Sequence, residues 1–180
     1  MFMEPQEIVD RWGWTFVTRR RPDDVRPMPL GECFANAQRL TGVAAGSRRP
    51  LAYCEGFVLF APNDPTLYHH AWCVDQEGVV VDPTWHFLPE RTYTGVAFRA
   101  WLLPHYERVH GPGFNLLGDR EIRLLSSDEF TRIAYCRGDR RRDPFRPTGD
   151  LCGLPASAVA MRRCADARTG GIRILRESRS

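Results

Sequence analysis

The chain has 180 residues, 43% of them hydrophobic, and a net charge of +3, which is enough for one domain with a sizeable core. All 25 basic residues are arginine, which excludes lysine chemistry such as Schiff bases or a phosphate-binding lysine. No apolar run approaches the ~20 residues that cross a bilayer, and charges stand where a signal peptide carries its apolar stretch, so a cytoplasmic protein with no membrane partner is expected.

The six cysteines are irregularly spaced and include no C-x-x-C pair. That pattern suits reduced thiols better than a disulfide framework, and it removes the strongest zinc signature. The charge is unevenly distributed. Residues 1–136 hold 14 Arg against 17 Asp and Glu, whereas residues 137–180 hold 11 Arg against 5. The basic end reads either as a solvated appendage or as a patch for nucleic acid or an acidic partner. No nucleic-acid motif accompanies the charge, which favours the appendage.

In chain order, residues 4–12 predict a short amphipathic helix, followed by "WTFV" and an Arg/Pro/Asp-rich loop over 19–30. "GECFANAQRLTG" predicts a helix from Glu32 to Thr41, with Cys33, Ala37 and Leu40 on one face and Gly42 as the stop. The prolines of "RPMPL" force that helix to begin close to Cys33. Strands are expected at 51–60, 69–75, 79–85 and 93–98, each rich in β-branched or aromatic residues. "RAWLLPHYERVHG" is apolar enough for a helix but is interrupted by Pro104. Ser126-x-x-Glu129 has the form of a capping box and predicts a helix over 127–136. Residues 137–150 read as a linker, and a last helix is expected from Pro155 toward Arg168. A helix followed by a run of antiparallel strands makes the fold α+β. The expected division is a core over 1–118 and a helical, Arg-rich extension over 119–180, docked on the same domain.

The stretch "YHHAWCVDQEGVVVDPTWH" (68–86) carries the chemistry. Its turn, Asp75-Gln76-Glu77-Gly78, places glycine where a three-residue loop with a G1 bulge needs a left-handed residue. That register pairs Asp75 with Val79, Trp72 with Asp82 and His70 with Thr84. Strand alternation then puts His70, Trp72, Asp82 and Thr84 on one face and His69, Ala71, Cys73 and Val81 on the other. His70 and Asp82 become diagonal neighbours within hydrogen-bond reach. A carboxylate on one ring nitrogen fixes the imidazole and leaves the other nitrogen free as a base. The base needs a nucleophile, and Cys33 is the cysteine at a helix start, where helix N–H groups and an imidazolium both favour thiolate.

A cysteine opening a helix, then a strand with His-Ala-Trp, then a strand with Asp-Pro-Thr, resembles the transglutaminase-like branch of the papain-like superfamily, in its small bacterial or phage form. The matching residues are Cys33 in "GECFANA", His70 in "HAW" and Asp82 in "DPTW", and the likeness covers about residues 28–98. It implies a papain-like/transglutaminase-like core in which the catalytic helix packs on an antiparallel sheet. It also implies acyl-enzyme chemistry: attack by Cys33, proton transfer by His70, orientation by Asp82, with no cofactor. The chain departs from full-size transglutaminases in its small core and in lacking a calcium-loop pattern. For an oxyanion donor the backbone N–H of Cys33 is one candidate and Gln6 another.

Four further residues are expected to support the triad or line its cleft: Asn36, one turn after Cys33; Glu55, a carboxylate inside an apolar strand that needs a partner; Trp72; and Thr84. The remaining cysteines carry no functional signal. The expected activity is that of a protease, amidase or transglutaminase acting on a protein, peptide or small amide. Two other readings remain: a non-catalytic binding protein using the cleft or the Arg-rich 137–180 region, and a metal site built from Cys33, His70 and Asp82 with His69 or Cys73. Strand parity opposes the metal site, since it sends His69 and Cys73 to the wrong face.

Overall fold

The computed structural model of the chain describes residues 2–44, 50–60, 66–86 and 90–135. Among them run helix α1 (Pro5–Trp12), strand β1 (Trp14–Thr15), helix α2 (Cys33–Ala44) and strands β2 (Ala52–Leu59), β3 (Leu67–Val74), β4 (Val80–Val81) and β5 (Thr92–Phe98). Helix α3 (Leu102–His110), a 3-10 turn (Ile122–Leu124), helix α4 (Ser127–Ile133) and strand β6 (Ala134–Tyr135) complete them. Among the described residues the architecture is α+β, a curled antiparallel sheet with four helices. The expected linker and helix beyond residue 136, with Cys136, Cys152 and Cys164, lie outside the described residues.

The sheet order is β1-β5-β2-β3-β4, and β6 also pairs with β5. β1 meets β5 at Thr94 and Gly95, whereas β6 meets it at Ala97 and Phe98. Residues 119–135 thus contribute a turn, a helix and an edge strand to the same sheet that the earlier residues build.

Alternation divides the sheet into two faces. Cys54, Val58, Trp72, Val74, Val80, Tyr93 and Ala97 join Phe16 in one buried cluster on the first face. His70 shares this face: it pairs with Gly56, and Gly56 pairs with Gly95. That glycine row leaves room for the aromatic side chains above it. A Cβ on Gly95 would stand 2.7 Å from Trp72 Cη2. The second face carries Tyr53, Glu55, His69, Ala71 and Cys73. Helix α2 packs there, with Cys73 Sγ against the Ala37 carbonyl and the Thr41 hydroxyl and with the Phe34 ring edge-on to His69.

Local chemistry explains most of the element boundaries. The reciprocal capping box at Ser126 and Glu129 opens α4, with Glu129 accepting from the Ser126 N–H at 2.9 Å. Pro104 is tolerated in α3 because it lies in the first turn, where its missing N–H would have had no helical partner. Three expectations need correction. The helix expected over 127–136 ends at Ile133, because Ala134 and Tyr135 pair with β5 as strand β6. Gly42 does not stop α2, which continues to Ala44. Nothing lies within 4 Å of a Cβ built on Gly42, and burial of Leu40 and Thr41 carries the helix past it despite a propensity cost of about 1 kcal/mol. The strand expected over 79–85 shrinks to Val80–Val81. Pro83 cannot donate to a ladder, and the Asp82 carboxylate captures the next two free N–H groups, so the chain turns away from β3.

Candidate active site

The turn between β3 and β4 has the G1-bulge form. Gly78 adopts φ +75°, its N–H donates to the Asp75 carbonyl at 2.9 Å, and the Asp75 N–H donates to the Val79 carbonyl at 3.0 Å. Cys73 pairs with Val81 and Val74 with Val80, the register that brings Asp82 to the same face as His70. His70 Nε2 and Asp82 Oδ2 are 2.8 Å apart, with both side chains buried. Asp82 Oδ1 accepts the N–H groups of Thr84 at 2.8 Å and Trp85 at 3.0 Å. Tyr93 donates its hydroxyl to Oδ2 at 2.9 Å. The carboxylate therefore has a partner for each of about four acceptor positions. Burial alone would raise its pKa. The hydrogen bond and charge of His70, with the two backbone N–H groups, outweigh burial and hold Asp82 below the usual carboxylate range.

The same balance governs His70. Burial disfavours its charged form, but Asp82 and then Cys33 raise its pKa above the usual imidazole value. With Nε2 taken by Asp82, the interaction with the thiol falls to Nδ1, which is buried and has no other partner. Cys33 and the ring attract each other through hydrogen bonding and charge, but Nδ1 is not engaged at the geometry of a fully formed bond. The indole of Trp85 covers the imidazole face to face, with centroids 3.5 Å apart and planes 1° from parallel.

Cys33 opens α2 and is half-buried. Burial pushes its thiol up, but His70, together with the backbone N–H groups of Ala71 and Phe34, brings it below its ordinary value. The β3–β4 ladder ends at Val81, and the Pro83 carbonyl accepts from the Met28 N–H at 2.8 Å, so neither engages the Ala71 N–H. The other two described cysteines behave in the opposite way. Burial raises Cys54 far above its ordinary value and pushes Cys73 up to about 12.

Of the supporting residues expected from sequence, Asn36 and Thr84 meet. The Asn36 amide donates to Thr84 Oγ1 at 3.0 Å and to the Pro29 carbonyl at 2.7 Å. It thereby ties α2 to the turn that carries Asp82. Glu55 lies on the other face, paired with Ala71. Its carboxylate accepts from the Tyr53 hydroxyl at 2.6 Å and from the N–H groups of Leu116 and Leu117 at 2.7 and 2.8 Å. Burial raises its pKa to about 7 despite those three donors. Glu55 thus anchors the loop after α3. Gln38 holds the same loop, accepting the Gly113 N–H and donating to the Phe114 carbonyl. Trp72 is a core residue and lines no cleft: it is fully buried, edge-on to Phe16 and Tyr93. Gln6 is half-buried, and its amide donates to Asp10, one turn along α1, at 2.8 Å.

His69 faces away from Asp82, held between Phe34 and Phe57, and its pKa is lowered by burial and then by the charge of His70. Among the described residues no three His, Cys, Asp or Glu side chains converge as a metal site requires. The imidazole of His70 lies between Cys33 and Asp82, so those three do not converge on a common point. Two participants escaped the sequence reading, Tyr93 and the N–H of Ala71. Strand parity of β5 could have placed Tyr93 on the His70 face, but its pairing to β2 was not legible locally. No described helix is long and apolar enough to cross a membrane. Comparisons of the chain with protein-family models, with curated proteins and with solved structures gave no match.

Proposed function

We propose that the protein is a cysteine-dependent acyl-transfer enzyme with a papain-like, transglutaminase-like core, acting on amide or peptide-like substrates. The observation that carries this reading is the contrast among thiols: Cys33 alone of the described cysteines is held below its ordinary pKa, beside a buried imidazole whose far nitrogen is bound to Asp82.

In the proposed cycle the Cys33 thiolate attacks the substrate carbonyl carbon, forming a C–S bond and a tetrahedral oxyanion. His70, as imidazolium, gives its proton to the leaving nitrogen as the C–N bond breaks, and a thioester remains on Cys33. Water or a second amine then attacks the thioester, His70 takes its proton, and the thiolate leaves. Asp82 keeps the imidazole oriented and stabilises its charged form in both halves. Backbone N–H groups at the start of α2 and at Ala71 are placed to stabilise negative charge near the sulfur. Because hydrolysis and transamidation share the thioester, either acceptor fits the same residues.

Mass spectrometry after timed alkylation with iodoacetamide tests the proposal. Cys33 is expected to label near neutral pH faster than the other five cysteines, and incubation with an activated ester of an N-acylated amino acid is expected to leave an acyl adduct on Cys33. Equal, slow labelling of all six thiols with no acyl adduct would overturn it.

A further inference from the structure

The acyl-transfer reading uses three side chains, but the hydrogen-bond chain has a fourth member. Tyr93, on β5, donates to the same carboxylate oxygen that holds His70: Asp82 Oδ2 is 2.9 Å from the phenol oxygen and 2.8 Å from His70 Nε2. The other oxygen is occupied by two backbone N–H groups and cannot relieve the first. We infer that Tyr93 is a positioning residue that sets the basicity of the Asp82–His70 pair, an inference that rests on the triad reading of Cys33, His70 and Asp82.

The physical reason is competition for one oxygen. A phenol donating to Oδ2 draws charge toward itself, so less is left to hold the imidazolium proton. Tyr93 is well suited to the task because its proton does not leave. Burial, and then the charge of Asp82, raise its pKa above the usual phenol value. The Arg91 guanidinium lies beside the hydroxyl and polarises it toward donation, and Arg91 is itself fixed over Phe60 and Trp85 and by a 2.7 Å bond to the His86 carbonyl. The ring of Tyr93 is packed edge-on against Trp72, so the phenol has little freedom to turn away. Among the described residues, the charged or titratable groups that act on His70 and its partner are Cys33 from α2, His69 and Cys73 from the far face of β3, Arg21 at the Asp82 carbonyl, and Tyr93 with Arg91 from β5.

The test reads the His70 ring directly. In a Cys33→Ser background, where the nucleophile no longer titrates, the His70 ring signals are followed by NMR against pH in the full chain. Tyr93→Phe is expected to raise the His70 midpoint by about half a unit or more, since a donor to a charged acceptor is lost. Replacing Tyr93 with 3-fluorotyrosine, a more acidic phenol and stronger donor, is expected to move it the other way. With Cys33 intact, Tyr93→Phe is expected to move the upper inflection of the Cys33 alkylation profile to higher pH. An unchanged His70 midpoint in Tyr93→Phe overturns the inference. Shifts of the same sign in both variants also overturn it, because they would report altered packing instead of donation. Opposite shifts in a protein whose Cys33 proves unreactive would leave the Tyr93 inference standing and remove the acyl-transfer reading instead.

Discussion

Asp82 and Glu55 are two buried carboxylates of one sheet, on opposite faces, and they are bound in nearly the same way. Each accepts two consecutive backbone N–H groups and one tyrosine hydroxyl: Thr84, Trp85 and Tyr93 for Asp82, and Leu116, Leu117 and Tyr53 for Glu55. Only Asp82 has an imidazole as well. Asp82 is held below the usual carboxylate range, while Glu55 is raised to about 7. Three neutral donors do not offset the desolvation of a carboxylate that is fully buried; a partner that can carry positive charge does. The sheet therefore holds one carboxylate bound to an imidazole and another that fastens a loop.

The largest test of that contrast removes the imidazole. His70→Gln is expected to slow alkylation of Cys33 at neutral pH by about 100-fold, the scale of a lost general base. The same change should bring Asp82 toward the behaviour of Glu55, with its pKa rising above the usual carboxylate range. Labelling kinetics and the carboxylate infrared band measure the two effects.

Glu55→Gln acts on the other face. It keeps one acceptor oxygen but presents an amide N–H₂ to a backbone donor, and is expected to cost about 2 kcal/mol in urea unfolding. Cys33 labelling should change little, because Glu55 serves the 113–118 loop. A large loss of Cys33 reactivity at unchanged stability would erase the division of labour between the two faces.

The two carboxylates also give opposite pH dependences of stability. Glu55 binds its proton more tightly in the folded state than in the unfolded chain. Its contribution is therefore greatest at acid pH and declines as pH rises from 4.5 to about 7, by on the order of 3 kcal/mol if burial is retained. Asp82 binds its proton less tightly when folded, so its contribution is present above the ordinary carboxylate range and is lost as pH falls through its lowered pKa. His70 adds stability that is present below 6.5 and lost as pH rises through its raised pKa. Urea midpoints measured across pH should fall between 4.5 and 7 in the native chain; in Glu55→Gln the fall below 6.5 should disappear, leaving only the loss from His70 above it.

The smallest expected effect concerns the turn. Gly78→Ala places a Cβ at φ +75° and should cost about 1 kcal/mol. Cys33 labelling should survive, because the Asp82 bonds to His70, Tyr93 and two N–H groups hold the register independently of the bulge. Loss of labelling in Gly78→Ala would mean that the turn alone sets the pairing.

Much of the candidate site was legible because its determinants are local. Asp75-x-x-Gly78 encodes a bulged turn, the bulge fixes the pairing, and strand alternation assigns His70 and Asp82 to one face and His69 to the other. The prolines before Cys33 place the start of α2 in the same local way, whereas the Asn36–Thr84 bond joins residues 48 apart and is not readable from the chain. Glu55 is legible as a carboxylate in need of partners, but its partners are not. They are N–H groups 61 and 62 residues away, and no local pattern specifies a loop that closes over such a distance. Trp72 shares parity with His70, but only packing against Phe16 and Tyr93 turned that shared face into core.

The sequence by itself determined the elements and their faces, since turns, caps and alternation depend on residues a few positions apart. Only the tertiary structure decided how the charges balance. Whether a buried carboxylate stays ionised depends on which strand, loop or ring supplies its fourth partner. Tyr93 reaches Asp82 because β5 lies beside β2 and His70 reaches it because β4 folds back on β3, whereas Glu55 meets only neutral donors. Burial and long-range neighbours set pKa values, and neither is written in the spacing of residues along the chain.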